Sequence, residues 1–388
     1  MKPLRLAIIG AGHLGRIHAR VAATLPEVEL VAVVDPVEEA RHSVAKECIV
    51  ARGNASAFER SNGAADTTIH AVADYREVVG QIEAAIIATP TSTHHAIGLE
   101  LLSAGVPLLI EKPLAPTVVE ANELVALARK KGLALQVGHV ERFNPALVAV
   151  ASDLRDPKYI ETKRTSGYTF RSTDIGVVLD VMIHDLDIVL SLTRSPVEEV
   201  QALGISVLGG HEDIANARLT FASGCVANLS ASRVSFHQQR TMTVFTSRCS
   251  ASINFATHEA TVVKPSDEVL RREFRVDKLT PAERSYWREH LFDQLLVRTQ
   301  CQPTAVNAIQ EEQRDFVRAV REGRAPRVDG TAGRDAVVVA EMILQRIEEH
   351  AWDGISSGRH GPFAMPALPI IAGTTATAAE HRERRRAG

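Results

Sequence analysis

The sequence predicts an α/β chain: an N-terminal doubly wound parallel sheet, then an α+β unit built on a largely antiparallel open sheet. Three observations predict it. From residue 4 to about His139, short apolar runs bounded by turn residues (6–9, 30–34, 84–88, 108–110 and 134–137, with another near Ile69) alternate with helical stretches. A glycine-rich turn, Gly10-Ala11-Gly12-His13-Leu14-Gly15, follows the first run directly and opens a helical stretch. After Phe143 the pattern changes to strict alternation. Ala217, Leu219 and Phe221 alternate with Asn216, Arg218 and Thr220, and Ala222-Ser223-Gly224 turns the chain into Ala227, Leu229 and Ala231.

Taken in order, residues 1–140 are expected to form the dinucleotide-binding unit, 141–352 the substrate and oligomerisation unit, and 353–388 a disordered tail rich in Gly, Pro, Ala, Thr and terminal arginines. Residues 51–68, rich in Ala, Asn, Ser and Gly without clear period, are expected to be a surface insertion. In the second unit a helix near 144–154 precedes strands at 159–165, 200–206, 215–221 and 226–232, all read as antiparallel. Strands at 240–254 and 259–264 continue the sheet, and helices at 307–321 and 333–348 follow, the last packing back on the first unit. The apolar face of this sheet needs a cover, and a second copy would supply it, so a homodimer or homotetramer is expected.

Composition narrows the function classes. At 388 residues, two units match the prior of about 100–200 residues per domain. A net charge of −3 with both signs interspersed offers no field to hold nucleic acid or an anionic membrane. No stretch approaches the roughly 18 apolar residues of a membrane span, and residues 1–10 lack a signal-peptide pattern, so the cytoplasm is the expected compartment. Cys48, Cys225, Cys249 and Cys301 form no CxxC pair and suit free thiols.

The glycine turn carries a mechanism. Gly10 permits the tight turn, Gly12 lets backbone approach a pyrophosphate, Gly15 lets helix and strand pack closely, and amides around His13 and Leu14 face the phosphates. Asp35 stands twenty residues beyond Gly15 at the end of the second apolar run, where a carboxylate accepts hydrogen bonds from the adenosine ribose. It would repel a 2′-phosphate, and Pro36 rather than an arginine follows it, so NAD is favoured over NADP. Two further turns lie at the carboxyl ends of strands, where ligands bind in open α/β sheets: Thr89-Pro90-Thr91 with His94, and Glu111-Lys112-Pro113. The Thr91 hydroxyl also suits a helix N-cap, and Lys112 also suits a structural pair with Glu111.

Residues 179–191 form the most informative segment outside the first unit. At about 100° per residue, Asp180, His184, Asp187 and Ser191 fall on one stripe of a helix that is otherwise apolar apart from Asp185. A satisfied buried His–Asp pair would explain the stripe, and so would a proton-transfer site in which Asp180 orients His184. No second ligand at a recognisable spacing accompanies His184, so no metal is expected.

Together with Gly138-His139-Val140-Glu141-Arg142-Phe143-Asn144-Pro145, these motifs resemble the Gfo/Idh/MocA oxidoreductases over residues 4 to 350. The segments 138–145 and 174–185 are most similar to the UDP-N-acetylglucosamine 3-dehydrogenases within that family. The resemblance implies a Rossmann unit, NAD, and Lys112, Asp180 and His184 as the catalytic group. It also implies oxidation of a sugar 3-hydroxyl to a ketone, often ahead of transamination to an amino sugar for a cell-envelope glycolipid. His184 would accept the hydroxyl proton and Lys112 would stabilise charge on oxygen, although those two roles are exchangeable. Arg142 and Asn144 are candidate substrate contacts, Arg142 equally a structural ion-pair residue. Three alternatives stay open: an inositol or simple-sugar dehydrogenase, an NAD-dependent glycoside hydrolase, and a non-catalytic NAD-binding regulator.

Overall fold

The computed structural model describes residues 2–55, 68–170, 174–303, 306–354 and 357–364. Its first part runs β1 (Leu4–Ile9), α1 (His13–Thr24), β2 (Val28–Val34), α2 (Glu38–Ala55), β3 (His70–Val72), β4 (Ala84–Ile87), α3 (Thr91–Ser103), β5 (Leu108–Glu111), α4 (Val118–Lys131) and β6 (Leu135–Gly138). All four residues of β4 and of β5 are buried, as expected of strands covered by helices on both faces. The strands pair in parallel in the order β3-β2-β1-β4-β5-β6. Order reverses between β1 and β4, and the crevice beyond their carboxyl ends is where a ligand fits. Of the expected insertion at 51–68, the first five residues continue α2, and 56–67 lie outside the described residues.

The second part runs α5 (Pro145–Val150), β7 (Pro157–Thr165), α6 (Ile183–Thr193), β8 (Val197–Ile205), β9 (Ile214–Phe221), β10 (Val226–Ser232), β11 (Gln239–Thr246), β12 (Ser250–Asn254) and β13 (Glu259–Pro265). It continues through α7 (Asp267–Leu270), α8 (Pro281–His290), β14 (Leu296–Cys301), α9 (Ala308–Glu322) and α10 (Gly330–Glu349). The eight strands form one sheet in the order β14-β13-β12-β11-β7-β10-β9-β8. The expectation of antiparallel pairing fails at one place: β7 and β10 are parallel, Ile160 opposite Ala227 and Thr162 opposite Leu229. Between them the chain makes a helix and a hairpin, so β10 returns in the direction of β7. Alternation sets which face a residue occupies and carries no information on strand direction.

The apolar sheet face does not await a second copy. Ala215, Ala217, Leu219, Ala227, Leu229 and Ala231 are buried in one core with α6 and with Ala336, Val337, Ala340, Ile343 and Ile347 of α10. The opposite face carries Asn216, Arg218, Asn228 and Ser230. This removes the argument from which self-association was expected. α10 begins against β6, where Val137 N donates to Val328 O at 3.0 Å, and Phe316 and Val317 of α9 lie in the core of the first sheet. The chain thus returns to its first unit and ties the two sheets together. β14 and α8 went unread in the sequence, although Thr280-Pro281-Ala282-Glu283 carries the capping box that starts α8.

The tail expected from 353 is structured in its first part. Trp352 Nε1 donates to Gly361 O at 2.9 Å, and Ser206 N donates to Pro362 O at 3.0 Å. Residues 365–388 lie outside the described residues. No helix among the described residues is long and apolar enough to cross a membrane.

Ile347 fills the space that Gly204 of β8 leaves open and is 1% exposed. Ile347→Ala is expected to lower the unfolding free energy by about 2–5 kcal/mol, read as a lower urea midpoint at unchanged slope.

Candidate active site

The glycine turn fits a dinucleotide. Gly10 has φ of +100°, and a Cβ there would press on the Ala88 carbonyl. A Cβ on Gly15 would overlap the carbonyl of Gly10, so this residue lets α1 start tight against the turn. Gly12 is different: a Cβ on it meets nothing within 4 Å, and it lines the cavity. It also caps α1 with no side-chain bond to the first-turn amides, which leaves them for an anion. The Asp35 carboxylate accepts from Ala11 N at 2.7 Å and from Val37 N at 2.8 Å, which holds the glycine turn to the end of β2. Each oxygen keeps a lone pair for a ribose hydroxyl.

From this turn a cavity of about 1100 Å³ runs between the two units. It is larger than a typical single-ligand pocket of roughly 300–1,000 Å³ and suits a cofactor with a substrate beside it. Gly10, Gly12, His13, Leu14, Asp35, Thr89, Pro90, Glu111, Lys112, Asp180 and His184 all line it. Gly15, Thr91, His94, Arg142 and Asn144 are not among the residues lining it, and each has a structural reason. Thr91 is buried at the start of α3. His94 lies between two turns, Nδ1 at 2.9 Å from Pro113 O and Nε2 at 3.0 Å from Thr89 O, and burial holds its pKa below the usual value. It braces the Thr89-Pro90 turn against the Lys112-Pro113 turn. Arg142 pairs with Asp187 at 3.2 Å. Asn144 donates to Glu141 at 2.9 Å and to Phe255 O at 3.1 Å while accepting from Ala146 N to start α5.

Lys112 follows the last residue of β5, and its side chain crosses the cleft. Nζ donates to the Asp180 carbonyl at 2.6 Å and to Asp180 Oδ1 at 3.0 Å. Asp180 lies in a π-helical turn, Val178–Met182, that leads into α6. Glu212 holds the start of that turn: its Oε1 accepts from Val178 N at 3.0 Å and its carbonyl from Val177 N at 2.9 Å. Single π turns of this kind occur often at functional sites.

The expected orientation of His184 by Asp180 is not what the structure displays. The Asp180 carboxylate is taken by Lys112, and His184 Nδ1 is buried without a partner among the described residues. The π turn is the reason, because the α-helical spacing that put both residues on one stripe does not hold through it. Burial, followed by Lys112 and Arg164, lowers the His184 pKa well below 6.5. The ring is therefore neutral at neutral pH. With Nδ1 buried, Nε2 is the nitrogen left to the cavity. The rest of the stripe is structural: Asp187 faces Arg142, and Ser191 Oγ donates to Ile188 O.

Several lining residues escaped the sequence reading. Arg164 of β7 bonds Glu141 at 2.8 Å and Asp185 at 2.8 Å, so the Asp185 that interrupted an apolar helix is a buried ion-pair member. Arg240, Ser166 and Thr169 of the second part line the cavity, as do Tyr75 and Arg76 of the first. None sits in a motif. Arg41, six residues beyond Asp35, donates to the Asp35 and Pro36 carbonyls at 3.3 and 3.2 Å, so a cation does stand near the ribose site, one turn into α2. His18, Glu111 and Glu312 offer three buried donor atoms within 4.8 Å of one another, a cluster that the expectation of no metal did not foresee.

Asp35→Asn keeps an acceptor for Ala11 N while removing the charge that repels a 2′-phosphate, with Arg41 left to attract one. The NAD-to-NADP ratio of kcat/KM is expected to fall by about tenfold or more. An unchanged ratio would mean that Asp35 has no part in cofactor choice.

Comparison with known proteins agrees with this geometry. The oxidoreductase family with an NAD-binding Rossmann fold, Gfo/Idh/MocA, matches residues 4–139, and the Gfo/Idh/MocA C-terminal domain matches residues 146–252. The chain is 31% identical over 352 residues to UDP-N-acetylglucosamine 3-dehydrogenase of Acidithiobacillus ferrooxidans, covering 89% of this chain and 97% of that protein. A solved structure of UDP-N-acetylglucosamine 3-dehydrogenase from that organism matches with a TM-score of 0.72 at 30% identity, covering 90% of this chain and 99% of the other. Similarity extends to the NAD-dependent scyllo-inositol 2-dehydrogenase of Bacillus subtilis, 28% identical over 248 residues, 60% of this chain and 68% of that one. With a glycine cradle that fits NAD and matches across both units, the chain belongs to the Gfo/Idh/MocA family of NAD-binding oxidoreductases.

Proposed function

We propose that the chain oxidises the 3-hydroxyl of a UDP-N-acetylhexosamine to a ketone, with NAD as hydride acceptor. The observation that carries this reading is the meeting, in one cavity with the nucleotide turn, of the Lys112–Asp180 pair and a neutral His184. When bound, NAD supplies the acceptor for the hydride that leaves the sugar carbon. The hydroxyl proton goes to His184 Nε2, which is free to take it because burial keeps the imidazole unprotonated. Lys112 stands as the cation that stabilises developing charge on the same oxygen, and Asp180 positions it with a carboxylate and a carbonyl. This assigns base to His184 and stabiliser to Lys112, which the sequence left exchangeable.

A nucleotide handle is supported by the cavity's charge. Arg164 is committed to Glu141 and Asp185, Arg76 to Asp74 and Glu100, and Lys112 to Asp180. Arg240 lines the same cavity and, among the described residues, its side chain has no hydrogen bond or ion pair, which suits it to a diphosphate. The similarity to UDP-N-acetylglucosamine 3-dehydrogenase over nearly the whole chain supports the same reading. The inositol-dehydrogenase similarity keeps one competitor in view.

The deciding experiment incubates the protein with NAD and a panel of UDP-N-acetylhexosamines, free sugars and inositols, follows NADH, and identifies the product by mass. Loss of two hydrogens from the UDP-sugar is expected. Turnover confined to free sugars or inositols would reject the nucleotide handle. Arg240→Ala is expected to raise KM for the UDP-sugar by roughly ten- to a hundredfold, the loss of one charge-assisted hydrogen bond, while leaving any free-sugar turnover unchanged.

His184→Gln should lower kcat by about 10²-fold or more in folded protein. The sign of the pH dependence follows from the depressed pKa. His184 is active when neutral, so activity fails only as pH falls through a value well below 6.5. An acid limb of kcat/KM at or above pH 6.5 would contradict His184 as the base.

A further inference from the structure

Behind the Lys112 turn lies a buried polar cluster with no part in the chemistry above. His18 of α1, Glu111 at the end of β5 and Glu312 of α9 place one donor atom each within 4.8 Å of the others. All three side chains are buried, Glu312 completely. Glu111 is fully engaged. Oε1 lies 2.6 Å from His18 Nε2, and Oε2 accepts the main-chain N–H of Lys112 at 3.1 Å. Neither oxygen of Glu312 has a hydrogen-bond partner among the described residues.

The hydrogen bonds determine the charge on His18. Gln313 Nε2 donates to the His18 carbonyl at 3.0 Å, which fixes its amide nitrogen toward the histidine, and the same nitrogen is 3.0 Å from His18 Nδ1. Nδ1 is then the acceptor, and Nε2 carries the hydrogen given to Glu111. His18 is neutral in this arrangement. No lysine or arginine side chain among the described residues bonds either carboxyl group. Two carboxyl groups therefore share a buried site that, among the described residues, contains no cation of its own, and two such groups resist ionising together there.

We propose that Glu111 and Glu312 hold a single proton between them, resident on Glu312, and that Glu312 is thereby a positioning residue for Lys112. Two donors, His18 Nε2–H and Lys112 N–H, favour the ionised form of Glu111, and nothing favours that form of Glu312. The directions of the pKa shifts agree. Burial, then Glu111 and Asp315, push Glu312 well above the usual carboxyl range; burial also raises Glu111, but the hydrogen bond from His18, the Lys112 charge and the Lys112 main-chain N–H outweigh it and hold Glu111 below that range. The groups facing Glu312 are His18, Glu111, Lys112 beyond it and Asp315 on its own helix. Ionising Glu312 adds a second negative charge that pushes Glu111 off His18 and off the main chain from which Lys112 reaches Asp180. A divalent cation is the other occupant with the right charge. The direct His18–Glu111 hydrogen bond at 2.6 Å and the presence of only three donors count against it.

Infrared difference spectra between wild type and Glu312→Gln, with ¹³C-labelled glutamate, test the proton directly. Wild type at neutral pH is expected to give a protonated-carboxyl band that Glu312→Gln lacks. In parallel, NADH affinity followed by fluorescence should agree within about twofold between the two proteins at neutral pH, since the amide is neutral like the acid. At alkaline pH it should weaken by about tenfold in wild type alone. A ¹³C-glutamate pH titration of wild type gives the same answer should the variant fail to fold. Absence of a protonated-carboxyl band overturns the proposal, as does elemental analysis finding one equivalent of a divalent metal that Glu312→Gln releases. NADH binding does not depend on which alcohol is oxidised, so failure here leaves the substrate reading untouched.

Discussion

The contact between Lys112 and Asp180 is the constraint on which the site depends, because it is made across the cleft between the turn after β5 and the π turn that leads into α6. Lys112 arrives at the carboxyl end of β5, next to the reversal of strand order, and Asp180 arrives in a turn fastened by Glu212. A lysine drawn out of water needs its charge answered. The answer here comes from a carboxylate and a carbonyl of one residue, so the ammonium is fixed in two directions at once. Breaking either side leaves a half-buried charge unpaired, which is costlier than never having formed the pair. The pair therefore fixes the relative placement of the sheet edge and the helix, as well as the cation in the cavity.

A second tier of ion pairs keeps that helix in place. Arg164 reaches from β7 to Asp185 on α6 and to Glu141 in the turn after β6, and Arg142 from the same turn reaches Asp187. Both arginines thus join the exit of the first sheet to α6. Asp185 and Asp187 of α6 are turned to these arginines, and among the described residues no acidic side chain bonds His184. Its ring stands instead near His139, 6.5 Å between centroids and nearly perpendicular. An imidazole without a carboxylate partner, in a buried and cation-flanked position, is kept neutral. The same arrangement that withholds an orienting aspartate from His184 leaves the ring neutral, as the proposed mechanism requires.

Much of this was legible in the sequence, and the failures have particular causes. The parallel sheet, the glycine turn with Asp35, and the placement of Lys112 at a strand end facing the cavity followed from strand-length apolar runs and their turns, while the joining of Asp180 and His184 to Lys112 was implied by the family resemblance. The relation between Asp180 and His184 did not, because a stripe drawn at a constant angle assumes an unbroken α-helix, and a π turn interrupts it. The parallel pairing of β7 with β10 was invisible because side-chain alternation is the same in either direction. Arg142 and Asn144 lie in a motif that looked like substrate recognition and turned out to staple the turn. Arg164 and Arg240 lie in alternating strands, where a charged residue reads simply as an outward-facing one until the sheet is folded against its neighbour.

Charge in the cavity is then best understood as a set of neutralised pairs with two exceptions. Lys112, Arg164 and Arg76 each have carboxylates close by, so none offers an uncommitted charge to a ligand. Arg240, by contrast, brings to the cavity a cation without a partner among the described residues, and His184 brings a neutral imidazole that the proposed mechanism uses as the base. An incoming molecule with an anionic group and an oxidisable hydroxyl supplies what each lacks. Such a molecule gains from the first contact without having to break an existing ion pair, and discrimination of this kind rests on an unmet charge rather than on shape. The division also follows chain position: turns at strand ends of the first sheet hold the glycine cradle and Lys112, whereas Asp180, His184 and Arg240 all come from the second part.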